Sequence, residues 1–350
     1  MTLNNENACT AADKTWTKPN PGEHRLISLT SLMRMEFPEP KWIVPNTIPD
    51  GGCVILAGPP KVGKSWFVLD LALGVATGGM VMGKISVEKG GVIYYALEDT
   101  LRRLQSRLKL LDATKEQDNL FFETRVPTLD QGGLEMISAD LKANPGVRLI
   151  IVDTLQKVRG PTQGSGKTYE LDYALITKLK QLADDSGVTI IVVHHVKKAE
   201  EADFIATVSG SFGLTGAADT ILVLGRKRGD ADGVLQITGR DVEESSIALK
   251  FDKTTMRWLL LGNAEEYSRS KQRQAILNLL LTAKSPMMPK EIADTLRENR
   301  DNVRQLLFKM VEKGEVQRNA NGKYSLPDSS DNGDNTDNAP HATNGNKDDI

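Results

Sequence analysis

Short, nearly unbroken apolar runs recur through the first two thirds of the chain, separated by stretches in which apolar residues return every three or four positions. CVILA (Cys53–Ala57), GVIYYALEDT (Gly91–Thr100), NLFFE (119–123), VRLIIVDT (Val147–Thr154) and VTIIVVHH (Val188–His195) lack polar alternation. Runs of this kind predict strands buried on both faces. WFVLDLALGVA (Trp66–Ala76) predicts a packed helix, as do Leu101, Leu104, Leu108 and Leu111 at helical spacing and the segments Leu134–Ala143 and Tyr169–Asp185. TILVLG and VLQIT add later strands. Alternating strands and helices predict an α/β fold with a doubly wound, mainly parallel sheet, and in such a sheet a ligand sits outside the C-terminal strand ends.

After Leu261 the pattern changes. SRSKQRQAILNLLLTAK predicts a helix with Ile276, Leu277, Leu280 and Leu281 on one face, PKEIADTL a second, and DNVRQLLFKMVEKG a third that stops at Gly314. An Asn321-Gly322 turn between short β-like segments completes a unit that resembles a winged helix, its third helix set for a major groove. In that arrangement Asn302, Arg304, Gln305 and Lys309 face DNA and Lys323 lies by the wing; a protein-docking role for the same fold is the alternative. The expected organisation is an N-terminal arm over 1–41, partly disordered, with a short helix within Leu26–Met35 and an extended Pro-rich lead (PEPKWIVPNTIP). The nucleotide-binding domain covers 42–264, the small C-terminal domain 268–326, and a disordered acidic tail 327–350.

Composition narrows the class. With 39% hydrophobic and 26% charged residues the chain can bury a large α/β core, and its net charge of −2 conceals polarity. Arg269–Lys323 carries twelve Lys/Arg against six Asp/Glu, whereas Asp328–Ile350 carries six Asp and a single lysine. Attraction to nucleic acid is therefore expected in the C-terminal module and in particular core loops. Two cysteines, Cys9 and Cys53, make neither a disulfide framework nor a zinc site, and no membrane span or signal peptide is legible, so a cytoplasmic protein is expected.

Candidate chemistry gathers at the strand ends. Gly58, Pro59, Pro60, Lys61, Val62, Gly63, Lys64 and Ser65 fit G-x-x-x-x-G-K-[ST] between a buried strand and a helix. Such a loop aims backbone N–H groups and a helix N-terminus at phosphate, with Lys64 reaching the β- and γ-phosphates of ATP and Ser65 ligating Mg2+. Asp153, ending a strand of apolar residues, suits a magnesium-holding aspartate. Glu98 is the chosen general base for the attacking water, with Asp99 as alternative, and either acid can instead cap the helix that begins near Thr100. His194 and His195 end a third strand, where one of them can meet the γ-phosphate. GSGKT at Gly164–Thr168 is a decoy: Pro161 stands where the first glycine should be.

Taken in order, GPPKVGKS, YYALED, LIIVDT, VVHHVKK and SGSFGLTGAADTILVLGR resemble the RecA/DnaB-like ATPases, most closely the RepA-type plasmid replicative helicases and related phage and mobile-element ATPases, over about Trp42–Leu261. The resemblance implies a RecA-like domain in a homo-oligomeric ring, usually a hexamer, with ATP between subunits and DNA in the channel. It also implies roles: Glu98 as catalytic glutamate, Asp153 as magnesium-associated aspartate and His195 or His194 as coupling residue. A shared site needs a cation from the neighbour; the family pattern favours Arg240, with Arg228 second. Lys157 and Arg159, and Lys197 and Lys198, lie where that family has its channel loops. The expected activity is ATP hydrolysis driving DNA unwinding, and the alternative is an ATP-switched DNA-binding regulator.

Overall fold

The computed structural model describes residues 26–37, 39–113, 117–160, 168–196, 213–226, 232–283 and 285–327. The chain divides into two compact units, one ending at Asn263 and one beginning at Ala264.

The first unit is built on a nine-stranded sheet. Its strands are β1 (Gly52–Gly58), β2 (Gly91–Ala96), β3 (Leu120–Glu123), β4 (Val147–Asp153), β5 (Thr189–His195), β6 (Thr220–Arg226), β7 (Asp232–Gly239), β8 (Ser245–Asp252) and β9 (Arg257–Asn263). Their spatial order is β9-β8-β7-β6-β1-β5-β4-β2-β3. The six strands from β6 to β3 run parallel, and β7, β8 and β9 extend the sheet antiparallel. The helices are α1 (Lys64–Thr77), α2 (Leu101–Leu110), α3 (Leu134–Ala143), α4 (Leu155–Val158), α5 (Thr168–Ser186) and α6 (Gly213–Ala217).

Alternation along each strand feeds two cores. Val54 and Leu56 of β1, Ile191 and Val193 of β5 and Leu149 and Ile151 of β4 pack with α1 on one face. Ile55, Ile190, Val192, Ile150 and Val152 pack with Leu175, Ile176 and Leu179 of α5 on the other. Burial on both faces is why these strands read as continuous apolar runs, whereas β7 buries only the alternating set Gly233, Leu235 and Ile237 and leaves Val234 exposed.

Three local expectations are corrected. The Pro-rich lead is not simply extended: Trp42–Val44 pairs with Ile48–Pro49, and Ile43, Val44 and Ile48 join the core. Thr100, rather than Glu98 or Asp99, caps α2 by accepting the Arg103 N–H. Leu101 is exposed, since α2 packs only through Leu104, Leu108 and the Leu111 that follows it.

The second unit holds α7 (Ala264–Thr282), α8 (Pro289–Leu296), α9 (Arg300–Glu312) and a hairpin of β10 (Gln317–Arg318) with β11 (Tyr324–Ser325). Helix α7 starts ahead of the expected Ser268 because Ala264, Glu265 and Glu266 suit a first turn. Ile276, Leu280, Ile292, Val303, Leu307, Met310 and Tyr324 share its core, while Leu281 points to solvent. The Glu291 carboxylate accepts the Met288 N–H at 2.7 Å, and the Asn299 side chain accepts from Asp301 and Asn302, fixing the starts of α8 and α9. Gly322 takes φ +72° in the hairpin turn, a conformation costly for a side chain.

Candidate active site

The phosphate-loop pattern lies between β1 and α1. A Cβ on Gly58 would meet the Leu224 carbonyl at 2.4 Å, so the loop can leave the sheet there only as glycine. Gly63 takes φ +113° and lies against Trp258, whose indole N–H donates to the Gly63 carbonyl at 3.2 Å. Helix α1 begins with no side-chain cap and no acid in its first turn, leaving its N-terminal N–H groups and dipole for an anion.

Lys64 is buried in the mouth of this loop. Its ammonium donates to the Gly58 carbonyl at 2.7 Å and the Pro59 carbonyl at 3.0 Å, and lies 3.0 Å from His195 Nδ1. Burial pulls its pKa down to about 8, against the charges of Asp153 and Glu98. Neutral carbonyls are weak partners for a buried ammonium, and phosphate oxygens would be better ones.

Because a lysine ammonium can only donate, His195 accepts through Nδ1 and carries its proton on Nε2. That nitrogen is 3.7 Å from Glu98 Oε2, and the Thr154 hydroxyl donates to Glu98 Oε1 at 3.3 Å. Lys64, His195, Glu98 and Thr154 thus form one chain along the C-terminal rim of the sheet. His194 projects to the opposite face of β5; burial foremost, with Lys64 and Arg159 nearby, lowers its pKa to about 4, so it is neutral at pH 7. Of the two histidines that the sequence leaves open, His195 is the one that touches Lys64.

Asp153 ends β4, and its peptide to Thr154 is cis. The Tyr94 hydroxyl donates to Asp153 Oδ2 at 2.9 Å, while Oδ1 is buried with no hydrogen-bond partner. Burial raises the carboxyl pKa, and Ser65 and Tyr94 draw it back down. An unpartnered buried carboxylate oxygen beside Ser65 fits a hard divalent cation. No group of three or more His, Cys, Asp or Glu among the described residues could hold a metal by itself.

The other expected residues are dispersed. Asp99 is engaged by Arg103 and Arg107. Arg159, expected at a DNA-contacting loop, is instead paired with buried Asp172 at 3.0 Å and is 14% exposed, which withdraws its charge from the surface. Lys157 is exposed. Arg240 follows β7, whose Gly239 pairs with Thr220, itself opposite Val54 near the start of β1. It therefore stands at the rim opposite the phosphate loop, 3.6 Å from Asp219. Arg228, Lys197 and Lys198 lie outside the described residues, as does nearly all of the GSGKT decoy. Asn302, Arg304, Gln305 and Lys309 are exposed on α9, and Lys323 is half-buried in the hairpin.

Sequence reasoning missed Thr154, Tyr94, Trp258 and Phe308. Tyr94 was hidden as one more apolar member of a strand, and Trp258 lies far along the chain from the glycine it supports. Phe308 is 63% exposed on α9 beside Arg304, Gln305 and Lys309, an aromatic where a helix of this pattern would show a polar residue.

A family profile described as AAA domain matches residues 19–201, more than half of the chain. The chain is 24% identical over 173 residues to a replicative DNA helicase DnaB of Rickettsia bellii, spanning 42% of this chain and 34% of that protein. It is 23% identical over 206 residues to a DNA repair protein RadA of Streptococcus pneumoniae, spanning 57% and 42%. The chain thus spans well under half the length of these curated relatives. Among solved structures, the ATPase domain of G40P superposes with a TM-score of 0.49 at 17% identity, over 61% of this chain and 85% of that one. A KaiC-like protein from Pyrococcus horikoshii superposes with a TM-score of 0.45 at 14% identity, over 61% and 90%.

Proposed function

The chain belongs to the AAA domain family, and from that premise we propose that it is an ATP-hydrolysing DNA motor, a ring-forming replicative helicase of a plasmid, phage or mobile element. The observation that carries the proposal is the chain Lys64–His195–Glu98–Thr154 on the rim that also holds Asp153. Lys64 and the α1 N-terminus receive the phosphates, and Ser65 with Asp153 would hold Mg2+, which supplies charge neutralisation at the β- and γ-phosphates. Glu98 takes the proton of the attacking water. His195 lies between the lysine that reads the γ-phosphate and this carboxylate, so loss of that phosphate changes what His195 is bonded to. Arg240, on the far rim, serves as the arginine finger of a neighbouring protomer's site. DNA is held by Lys157 and the loop bearing Lys197 and Lys198. The second unit is read as a winged helix that presents Asn302, Arg304, Gln305 and Lys309 to duplex DNA, with Lys323 at the wing.

The test is ATP hydrolysis with and without single-stranded DNA, together with strand displacement on a forked duplex. DNA-stimulated hydrolysis that needs Lys64 and displacement that needs Arg240 support the motor. The exposed basic stripe on α9 favours a second reading, an ATP-switched DNA-binding regulator; hydrolysis without any displacement selects it.

A further inference from the structure

At the same C-terminal rim, beside the hydrolytic residues, an open cleft of about 380 Å³ is lined by Leu97, Thr124, Arg125, Val126, Pro127 and Lys157. Two cations face it. Other basic side chains of these segments have ion-pair partners within the fold: Arg103 and Arg107 share Asp99, and Arg159 pairs with Asp172. Among the described residues Arg125 and Lys157 have no ion-pair partner, and both are exposed. Glu123, the acid closest in sequence, is bonded to backbone rather than to either cation: its Oε1 accepts the N–H groups of Thr124 at 2.7 Å and Arg125 at 2.9 Å. The cleft thus presents two cations without an ion-pair partner among the described residues, flanked by the apolar Leu97, Val126 and Pro127 and with no aromatic in its lining.

Its walls are continuous with the site. Leu97 precedes Glu98, and its N–H is bonded to the Asp153 carbonyl at 2.8 Å. The Lys157 N–H is bonded to the Thr154 carbonyl at 3.0 Å, and the Thr154 hydroxyl in turn donates to Glu98. An anion drawn between Arg125 and Lys157 therefore bears on the two segments that position the hydrolytic carboxylate.

We infer that this cleft binds the phosphodiester backbone of a single DNA strand, with Arg125 as a contact not otherwise assigned, and that its occupation is what stimulates hydrolysis at Glu98. The inference rests on the DNA-motor reading. Charge without a stacking platform suits sequence-independent backbone contact, in which each neutralised phosphate adds to the salt dependence of binding.

The test uses the full chain and a fluorescein-labelled oligothymidylate. Arg125→Glu with Lys157→Glu should weaken binding about tenfold or more at moderate salt and reduce the slope of log affinity against log salt by about 1.4, the share of two phosphates on a single strand. DNA stimulation of hydrolysis should disappear with it. The charge-preserving swap of Arg125→Lys with Lys157→Arg should retain binding, and Lys142→Glu on α3 should have no effect on it. Unlabelled oligothymidylate should displace the probe, and inorganic phosphate at the same phosphate concentration should not. Wild-type binding that survives the double reversal unchanged, equal loss in the swap, or equal displacement by inorganic phosphate would overturn the cleft proposal. Absence of any strand binding and of DNA-stimulated hydrolysis in the wild type would instead overturn the motor reading beneath it.

Discussion

The Lys64 ammonium is bonded to His195 Nδ1 at 3.0 Å, so the lysine of the phosphate-loop pattern and the histidine that faces Glu98 are already in contact. The pH dependence follows from the depressed pKa of Lys64, about 8. Nucleotide prefers the charged form, so ATP affinity should be full below that value and fall as pH rises through it, with proton uptake on binding near pH 8. For the nucleotide-free protein the sign is opposite. The unfolded chain binds more protons than the fold between about 8 and the ordinary lysine value, so this group's cost to stability fades as pH rises. Calorimetric titration in buffers of different ionisation enthalpy checks the uptake, and Lys64→Met should abolish it.

Glu98→Gln should lower kcat by about 10²–10⁴, the usual contribution of a general base. Nucleotide binding should be nearly unchanged, because Glu98 reaches the loop only through His195 at 3.7 Å. Single-turnover hydrolysis measured beside equilibrium binding separates the two effects; a parallel loss of both would remove Glu98 from the role of base.

Trp258 supports the phosphate loop from a strand almost two hundred residues away in sequence. Trp258→Phe keeps a ring against Gly63 and deletes the N–H donor, a neutral hydrogen bond worth about 1 kcal/mol. The expected result is a KM for ATP raised about fivefold with kcat little altered. Trp258→Ala should instead destabilise the domain by about 3–5 kcal/mol, read by denaturant unfolding.

Arg240→Ala should reduce hydrolysis about 10³-fold or more if its guanidinium serves a neighbour's γ-phosphate. Mixing Arg240→Ala with Lys64→Ala protein is the sharper measurement. Each is inactive alone, yet random assortment in a head-to-tail assembly pairs an intact loop with an intact arginine at about a quarter of interfaces. No recovery on mixing would place the finger elsewhere.

Phe308→Ala should weaken duplex binding by the full chain by about 1–3 kcal/mol while leaving its salt slope unaltered, since the ring contributes no charge. Arg304→Ala should reduce both. Titrations at several salt concentrations make the comparison.

The parallel sheet and the phosphate-loop segment were legible because they depend on local pattern: unbroken apolar runs, one glycine spacing, acids and histidines where apolar strands end. The cap of α2 was misassigned because Asp99, Thr100 and Glu98 are all competent caps in sequence, and only the pairing of Asp99 with Arg103 and Arg107 separates them. Arg159 looked like a surface cation because its partner, Asp172, lies beyond a polar loop. Trp258 was illegible for a similar reason: β9 is an edge strand four places from β1, and Trp258 reaches Gly63 only through the core it shares with α1.

The placement of the phosphate loop and Arg240 at opposite rims gives any stack of these protomers two unlike ends. One end shows a loop with no arginine opposite it, the other an arginine with no loop. If Arg240 serves a neighbour's loop as proposed, an open stack would carry one terminal loop able to hold nucleotide but poorly able to turn it over, and only closure would remove it. With Arg240 serving as proposed, turnover per subunit should climb with protein concentration and level off once the stack joins on itself.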